Sequence, residues 1–266
     1  MDYVKPYGVV ESMLAGAALK LNIPPQNLVI RWMLAGAYLG VATSMAVSVA
    51  VETGFWIAGA LLFPFGLALA ILLGMEIITG SFALIPCTMV SANDHTERVG
   101  IRRVLANWGW VFLGNLLGST IYAALLAIVL TTGGDAPVSA VGTKLIAIAE
   151  AKATYYAHHG DAGLLTVCTK AILCNWMVGL AVVFAYSTTS FIGKMFAIWG
   201  PTVLFFSQGF EHAVVNMFLI PVGGMFFTRL AMYYAHGSAS IAPQQVQNVK
   251  HASASLSAKP GGNVCL

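Results

Sequence analysis

Charge is what this sequence has least of. Asp, Glu, Lys and Arg make up 9% of its 266 residues, where about 25% is usual in soluble domains. Apolar residues make up 58%, against roughly 45–50%. So few charges cannot cover the surface of a soluble fold, so the solvent for much of this chain is lipid. The net charge of +3 is too small to point to nucleic acid. Cysteine is also sparse. Cys87, Cys168, Cys174 and Cys265 lack metal-ligand spacing, and Cys168 and Cys174 sit inside an apolar run. A disulfide framework is not indicated, and the four read as small buried hydrophobes. Residues 1–26 hold Lys5 and Lys20 but no compact apolar core ending in a small-residue cleavage site, so no secretory signal is expected.

What the chain does have is long apolar runs. Five stand out: Leu28–Val51, Phe55–Leu73, Val104–Leu130, Gly163–Tyr186, and a run with interruptions from Met195 to Phe227. Each is long enough for the ~20 residues that cross a hydrocarbon core. The runs are continuous rather than alternating, which predicts helices and not barrel strands. The expected organisation is a cytoplasmic segment over 1–27, a transmembrane domain over 28–230 and a polar, disordered tail over 231–266. Within the first segment, Tyr7–Leu21 reads as an amphipathic helix lying in the membrane interface. With the N-terminus inside, the inner segments carry Lys5, Lys20, Arg31, Arg98, Arg102, Arg103 and Lys194, while the outer loop after the third run carries only Lys144 and Lys152. The positive-inside rule favours that orientation.

The second and fifth runs share a pattern. Gly74-Met75-Glu76 and Gly209-Phe210-Glu211 both place Gly-x-Glu within apolar sequence, and Pro86 and Pro221 follow the glutamates at the same spacing. Paired interruptions of this kind, one in each half, point to a midplane binding site in inverted-repeat transporters. A broken helix exposes backbone N–H and C=O groups, tolerated only against protein or a water-lined cavity. The freed N–H groups at the start of a half-helix attract an anion. Each glycine alone reads as close helix packing. So do Gly36 and Gly40, and Gly114 and Gly118, at small-xxx-small spacing.

Four ionisable residues stand at membrane depth: Glu76, Lys170, Glu211 and His212. A central charge costs about 2.5–3.5 kcal/mol on insertion scales, so such groups are functional or paired. Glu76 and Glu211 are expected to accept hydrogen bonds from the unsatisfied N–H groups of the broken helices, a structural task. A bare carboxylate there would repel an anion. His212, beside Glu211 and Asn216, can donate a hydrogen bond or a proton to a passing anion, and Asn175 is placed to orient its ring. Lys170 and Lys152 either draw anions into an outer vestibule or, in the case of Lys170, snorkel to the interface. Arg31 is expected to snorkel as well.

These residues resemble the formate–nitrite transporter family from Pro6 to about Gly224. The matching segments are Ala35-Gly36-Ala37-Tyr38-Leu39-Gly40, Glu76-Ile77-Ile78-Thr79-Gly80, Asn107-Trp108 with Gly114-Asn115-Leu116-Leu117-Gly118-Ser119, Cys174-Asn175-Trp176-Met177-Val178, and Gly209-Phe210-Glu211-His212-Ala213-Val214-Val215-Asn216-Met217. The resemblance implies an all-α, aquaporin-like inverted-repeat bundle with broken second and fifth helices, assembled as a homopentamer with a pore in each protomer. It implies His212 as the central pore histidine, Thr79 facing it, Asn175 as its partner, Leu67 and Phe205 as apolar constrictions, and Lys152 or Lys170 as the vestibule lysine. One departure is expected: no counterpart of the family's sixth helix follows Met217.

The expected function is passage of a small monovalent weak-acid anion, nitrite or formate, across a lipid bilayer, with protons as partners and no cofactor. The plasma membrane is the default location. The alternative is a truncated, non-conducting isoform or pentamer subunit. A water channel is disfavoured by the lack of an Asn-Pro-Ala repeat at the breaks. An enzyme is disfavoured because no nucleophile, metal-ligand set or cofactor motif accompanies Glu211-His212. Desolvating a bare anion at the constriction is very costly, so uptake is expected to rise as the outside pH falls. Flux into sealed vesicles that ignores the proton gradient would count against proton coupling.

Overall fold

In lipid every backbone polar group must be satisfied within its own segment or against protein, which leaves helices for apolar runs of this length. The computed structural model describes residues 2–23, 25–90 and 98–235. Among these the chain is helical apart from short links. The α-helices are α1 (Pro6–Leu21), α2 (Pro25–Thr53), α3 (Trp56–Leu62), α4 (Pro64–Leu72), α5 (Ile78–Leu84), α6 (Cys87–Val90), α7 (Ile101–Leu130), α8 (Ala140–His158), α9 (Gly160–Tyr186), α10 (Phe191–Ser207) and α11 (Ala213–Ala235). Asn27–Thr53, Ile101–Leu130 and Gly160–Tyr186 are each long and apolar enough to cross a membrane. The chain is an integral, multi-pass helical membrane protein.

The observed elements differ from the apolar runs in instructive ways. The second run, read as Phe55–Leu73, is α3 and α4, and the chain then resumes as α5 and α6 beyond a break. Pro64 lacks an amide hydrogen and divides α3 from α4 at Phe63. Pro86 separates α5 from α6, whereas Pro221 lies inside a continuous α11, so the two halves part company there. The fifth run begins four residues earlier than read, at Phe191, and its second part extends to Ala235. The outer loop after the third run is largely helix. It forms α8, N-capped by the Ser139 hydroxyl, which accepts from the Gly142 amide at 3.2 Å. Lys144, Glu150 and Lys152 lower its hydropathy and hide it from a search for apolar runs. The expectations of a disordered tail and of a missing sixth helix concern mainly residues beyond Ala235, which lie outside the described residues.

The N-terminal segment is tied down. Val4 N–H donates to the Ser187 carbonyl at 2.8 Å, and Thr189 N–H to the Asp2 carbonyl at 3.0 Å. These bonds hold α1 against the link between α9 and α10. Gly16 of α1 sits where a Cβ would overlap the Tyr186 hydroxyl.

Helices α2 and α7 pack backbone to backbone. A Cβ at Gly36 would overlap the Asn115 carbonyl, and one at Gly118 the Met33 carbonyl. The Ser119 hydroxyl donates to the Gly36 carbonyl at 3.1 Å across the same contact. The small-xxx-small glycines therefore act in packing. Gly36→Val is expected to lower the thermal unfolding midpoint of the purified protein in detergent, by overpacking worth about 1–3 kcal/mol. Gly109→Ala, which meets open space on α7, is expected to leave the midpoint unchanged or slightly raised.

A candidate functional site at two broken helices

The two breaks have one geometry. Gly74 and Gly209 adopt left-handed backbone angles, with φ of 69° and 65°. The Gly74 N–H donates to the Ile71 carbonyl at 3.1 Å and the Met75 N–H to the Ala70 carbonyl at 2.9 Å. The Gly209 N–H donates to the Phe206 carbonyl at 3.2 Å and the Phe210 N–H to the Phe205 carbonyl at 3.1 Å. Both sets are the Schellman pattern, which needs a residue tolerant of positive φ just past the helix end. Glycine is there for that reason. Three extended residues follow in each half before α5 and α11 begin.

Glu76 and Glu211 sit in those extended segments, both buried. Among the described residues neither accepts from the backbone of the breaks, in contrast to the expectation from sequence. Side chains hold them. Glu211 accepts from Lys152 Nζ at 2.5 Å, Tyr156 hydroxyl at 2.6 Å and Asn216 Nδ2 at 2.8 Å. Glu76 accepts from Trp32 Nε1 at 3.0 Å and lies 4.0 Å from Lys20 Nζ. A buried carboxylate is tolerable when a cation and further donors surround it. Glu211 meets that condition, whereas Glu76 has one hydrogen-bond donor and its Oε1, 4.0 Å from Lys20 Nζ, accepts no hydrogen bond among the described residues. The backbone donors go elsewhere. The Ile78 N–H donates to Asn115 Oδ1 at 2.9 Å, while Asn115 Nδ2 donates to the Glu76 and Trp32 carbonyls at 2.9 and 2.8 Å. Asn115 thus ties α7, α2 and the first break together. Arg31 does not simply reach for the interface either, since its guanidinium donates to the Gly74 carbonyl at 3.3 Å.

His212 joins the two breaks. Its Nδ1 accepts from the Val215 N–H at 3.3 Å, and its Nε2 lies 3.1 Å from Thr79 Oγ1. An acceptor at Nδ1 leaves the neutral ring's proton on Nε2, so the ring donates to Thr79. The Thr79 hydroxyl hydrogen then remains available to a third group. Phe205 covers the imidazole face, with centroids 5.4 Å apart and planes 15° from parallel. Phe63 meets Phe205 edge-on at 5.8 Å and stacks on Phe206 at 3.9 Å. His212, Thr79, Leu67 and Phe205 are all buried.

Three of the remaining sequence-predicted residues stand at Glu211 or its partner Tyr156, and one does not. Asn216 and Lys152 both hold Glu211, and Lys170 Nζ stands 6.0 Å over the Tyr156 ring. Asn175 is the exception. Its amide donates to the Ala171 carbonyl of its own helix at 2.8 Å, and both His212 nitrogens are engaged by other groups. A helical asparagine satisfies itself more readily on the carbonyl one turn back than across a helix pair. Sequence reading missed Lys20, Trp32, Asn115 and Tyr156 as partners of the breaks. Asn115 alone carried a signal, in the Gly-Asn pair at Gly114 within an apolar run.

Half-helices that meet at buried polar residues inside an apolar bundle define a membrane channel or transporter. Comparison with known proteins places the chain more narrowly. The formate/nitrite transporter family profile matches residues 7–250, so the chain belongs to that family, whose members are channels and transporters and not enzymes. It is 31% identical over 240 residues to a probable formate transporter of Methanothermobacter thermautotrophicus, covering 84% of each chain. It is 29% identical over 227 residues to the uncharacterized transporter YrhG of Bacillus subtilis, covering 83% of this chain and 80% of that one. It is 29% identical over 231 residues to the formate channel FocA of Escherichia coli, covering 84% and 75%. Two solved structures share the fold. One is an FNT family ion channel, with a TM-score of 0.68 and 21% identity over 95% of this chain and 99% of that one. The other is a pentameric formate channel with formate bound, with a TM-score of 0.59 and 22% identity over 91% and 92%.

The pair at the second break makes a direct prediction. Glu211→Ala leaves Lys152 buried without its counter-charge and is expected to destabilise the protein by about 3–5 kcal/mol. Adding Lys152→Met should recover part of that loss. A double-mutant cycle on thermal unfolding in detergent measures the coupling, and additive losses would show that the pair does not act as a unit.

Proposed function

We propose that this chain carries a small monovalent weak-acid anion, formate or nitrite, across the plasma membrane, and that the species crossing the narrowest part is the neutral acid. The observation that carries the reading is the buried contact between His212 Nε2 and Thr79 Oγ1 at 3.1 Å, where the two broken helices meet. Relatives named for formate, and a family described by formate and nitrite, support the substrate class. On this reading residues 28–230 form the transport domain, arranged as an aquaporin-like inverted repeat. A homopentamer is supported by the likeness to a formate channel that is itself pentameric.

The chemistry follows from desolvation. An apolar ring, Phe205, covers the face of His212, so a bare carboxylate or nitrite there would lose its hydration without a cation to replace it. Lys152 is already engaged by Glu211. Protonation removes the charge and most of the cost. His212 is a hydrogen-bond donor in this scheme and not the proton source. Its single ring hydrogen is on Nε2, Nδ1 is occupied by the Val215 amide, and giving up that hydrogen would leave an imidazolate. The proton therefore comes from bulk water before the acid enters. The Thr79 hydroxyl, held by His212, donates to the passing acid, and Leu67 and Phe205 exclude ions by being apolar.

The test is formate and nitrite flux into proteoliposomes holding the full chain. Thr79→Val and His212→Ala each remove one partner of the central contact. Each is expected to change the rate about fivefold or more, the equivalent of one net hydrogen bond at ~1 kcal/mol. Thr79→Ser, which keeps the hydroxyl, should stay close to the unaltered protein. A His212→Ala protein that is folded and as fast as the unaltered one would remove His212 from the path.

A further inference from the structure

The ring over His212 is the end of a longer aromatic pile. Phe205 stacks on the imidazole and meets Phe63 at 5.8 Å, with planes 82° apart. Phe63 also stacks on Phe206 at 3.9 Å and 14°, and Phe206 stacks in turn on Trp56 at 5.3 Å and 12°. Offset stacking and edge-to-face contact are the arrangements that aromatic pairs prefer. Two consecutive residues of α10, Phe205 and Phe206, thus hold one ring between them, and Trp56 closes the pile from the first turn of α3. Among the described residues no ring contact joins Trp56 or Phe206 to His212.

Phe63 stands where such a grip matters. It is the link between α3 and α4, and Pro64 beside it has no amide hydrogen to continue the helical ladder. Side-chain packing therefore fixes the direction in which α4 leaves the kink. Leu67 is four residues further on, on the same helix face one turn away. Whatever holds Phe63 thereby sets how closely Leu67 approaches Phe205. Phe63, Phe205 and Phe206 are fully buried, and in close-packed surroundings one ring cannot shift without its neighbours. The Trp56 indole N–H is buried and has no hydrogen-bond partner among the described residues. Stacking, and not a hydrogen bond, keeps that ring in place.

We propose that Trp56 and Phe206 are positioning residues that set the size selectivity of the constriction. They hold Phe63, and through it the gap between Leu67 and Phe205, at a width that passes a one-carbon acid and rejects a longer or branched monocarboxylic acid. The proposal rests on the transport reading and deepens it. Formate and lactate are the probes. Uptake of each is measured in proteoliposomes of the full chain under the same inward proton gradient. The His212 ring resonances are followed in detergent by NMR of histidine-labelled protein and assigned by their loss in His212→Ala.

Phe206→Leu and Trp56→Leu are each expected to raise the ratio of lactate to formate flux about tenfold, equivalent to ~1.4 kcal/mol of discrimination. Both should move the His212 ring resonances, because Phe205 shifts over the imidazole. Trp56→Phe keeps a ring and discards the unpartnered N–H, and should keep the ratio and the resonances of the parent. A loss of folded protein alone would lower both fluxes together and leave their ratio unchanged. Trp56 is only half-buried, so its leucine variant decides the matter if Phe206→Leu does not fold. Ratios within about twofold of the parent in the leucine variants that fold overturn the proposal. So does a Trp56→Phe protein as permissive as Trp56→Leu. A parent that carries lactate as fast as formate overturns the selectivity and leaves the transport reading standing. A parent that carries neither acid sinks the transport reading, and the selectivity with it.

Discussion

The ion pair between Glu211 and Lys152, 2.5 Å apart and buried on both sides, is the interaction on which the second half of the bundle depends. An isolated charge at this depth is costly, yet the break places a carboxylate there. Lys152, Tyr156 and Asn216 converge on it from α8 and α11. With the carboxylate fixed, the next residue, His212, is held with one nitrogen on the Val215 amide and the other toward Thr79. The chain of constraint runs from a helix cap, to a buried charge, to the orientation of one imidazole.

The first half meets the same constraint with different side chains. Its Schellman cap at Gly74 has the same hydrogen bonds as that at Gly209. Its glutamate, however, is held by an indole and a more distant lysine, and its half-helix amide by Asn115 from α7. Backbone groups freed at a break must find partners inside the protein, and the two halves find them in different places. The two breaks therefore share their backbone geometry closely and their side-chain partners loosely. The close approach of α2 and α7 at Gly36 and Gly118 is what brings Asn115 within reach of the first break.

Much of this is legible in the residues. The two breaks are readable because a Schellman cap needs glycine at one position and because Glu76 and Glu211 are conspicuous in apolar sequence. The depth of His212 follows from the same segments, while its approach to Thr79 is something only the family resemblance implies. What the residues hide has a physical reason in each case. Helix α8 reads as loop because an element covered by protein on one side carries charges that lower its hydropathy. The partners of the glutamates lie far away in sequence, on α1, α2 and α8, where single residues such as Lys20 and Trp32 give no local pattern. The place of Asn175 in a motif points to His212, but its amide finds a carbonyl of its own helix. Arg31 reads as a snorkelling residue because its position near a helix end fits that role equally well. Its bond to the Gly74 carbonyl depends on how the break folds back.

The central claim is that charge does not cross the His212–Thr79 junction. It is tested most directly by recording formate entry, internal pH and membrane current together in proteoliposomes of the full chain. The account predicts that each formate enters with a proton, acidifying the interior, and that no net current flows. Formate entry that carries current and leaves internal pH unchanged would mean that the bare anion passes, and the account of the junction would be wrong.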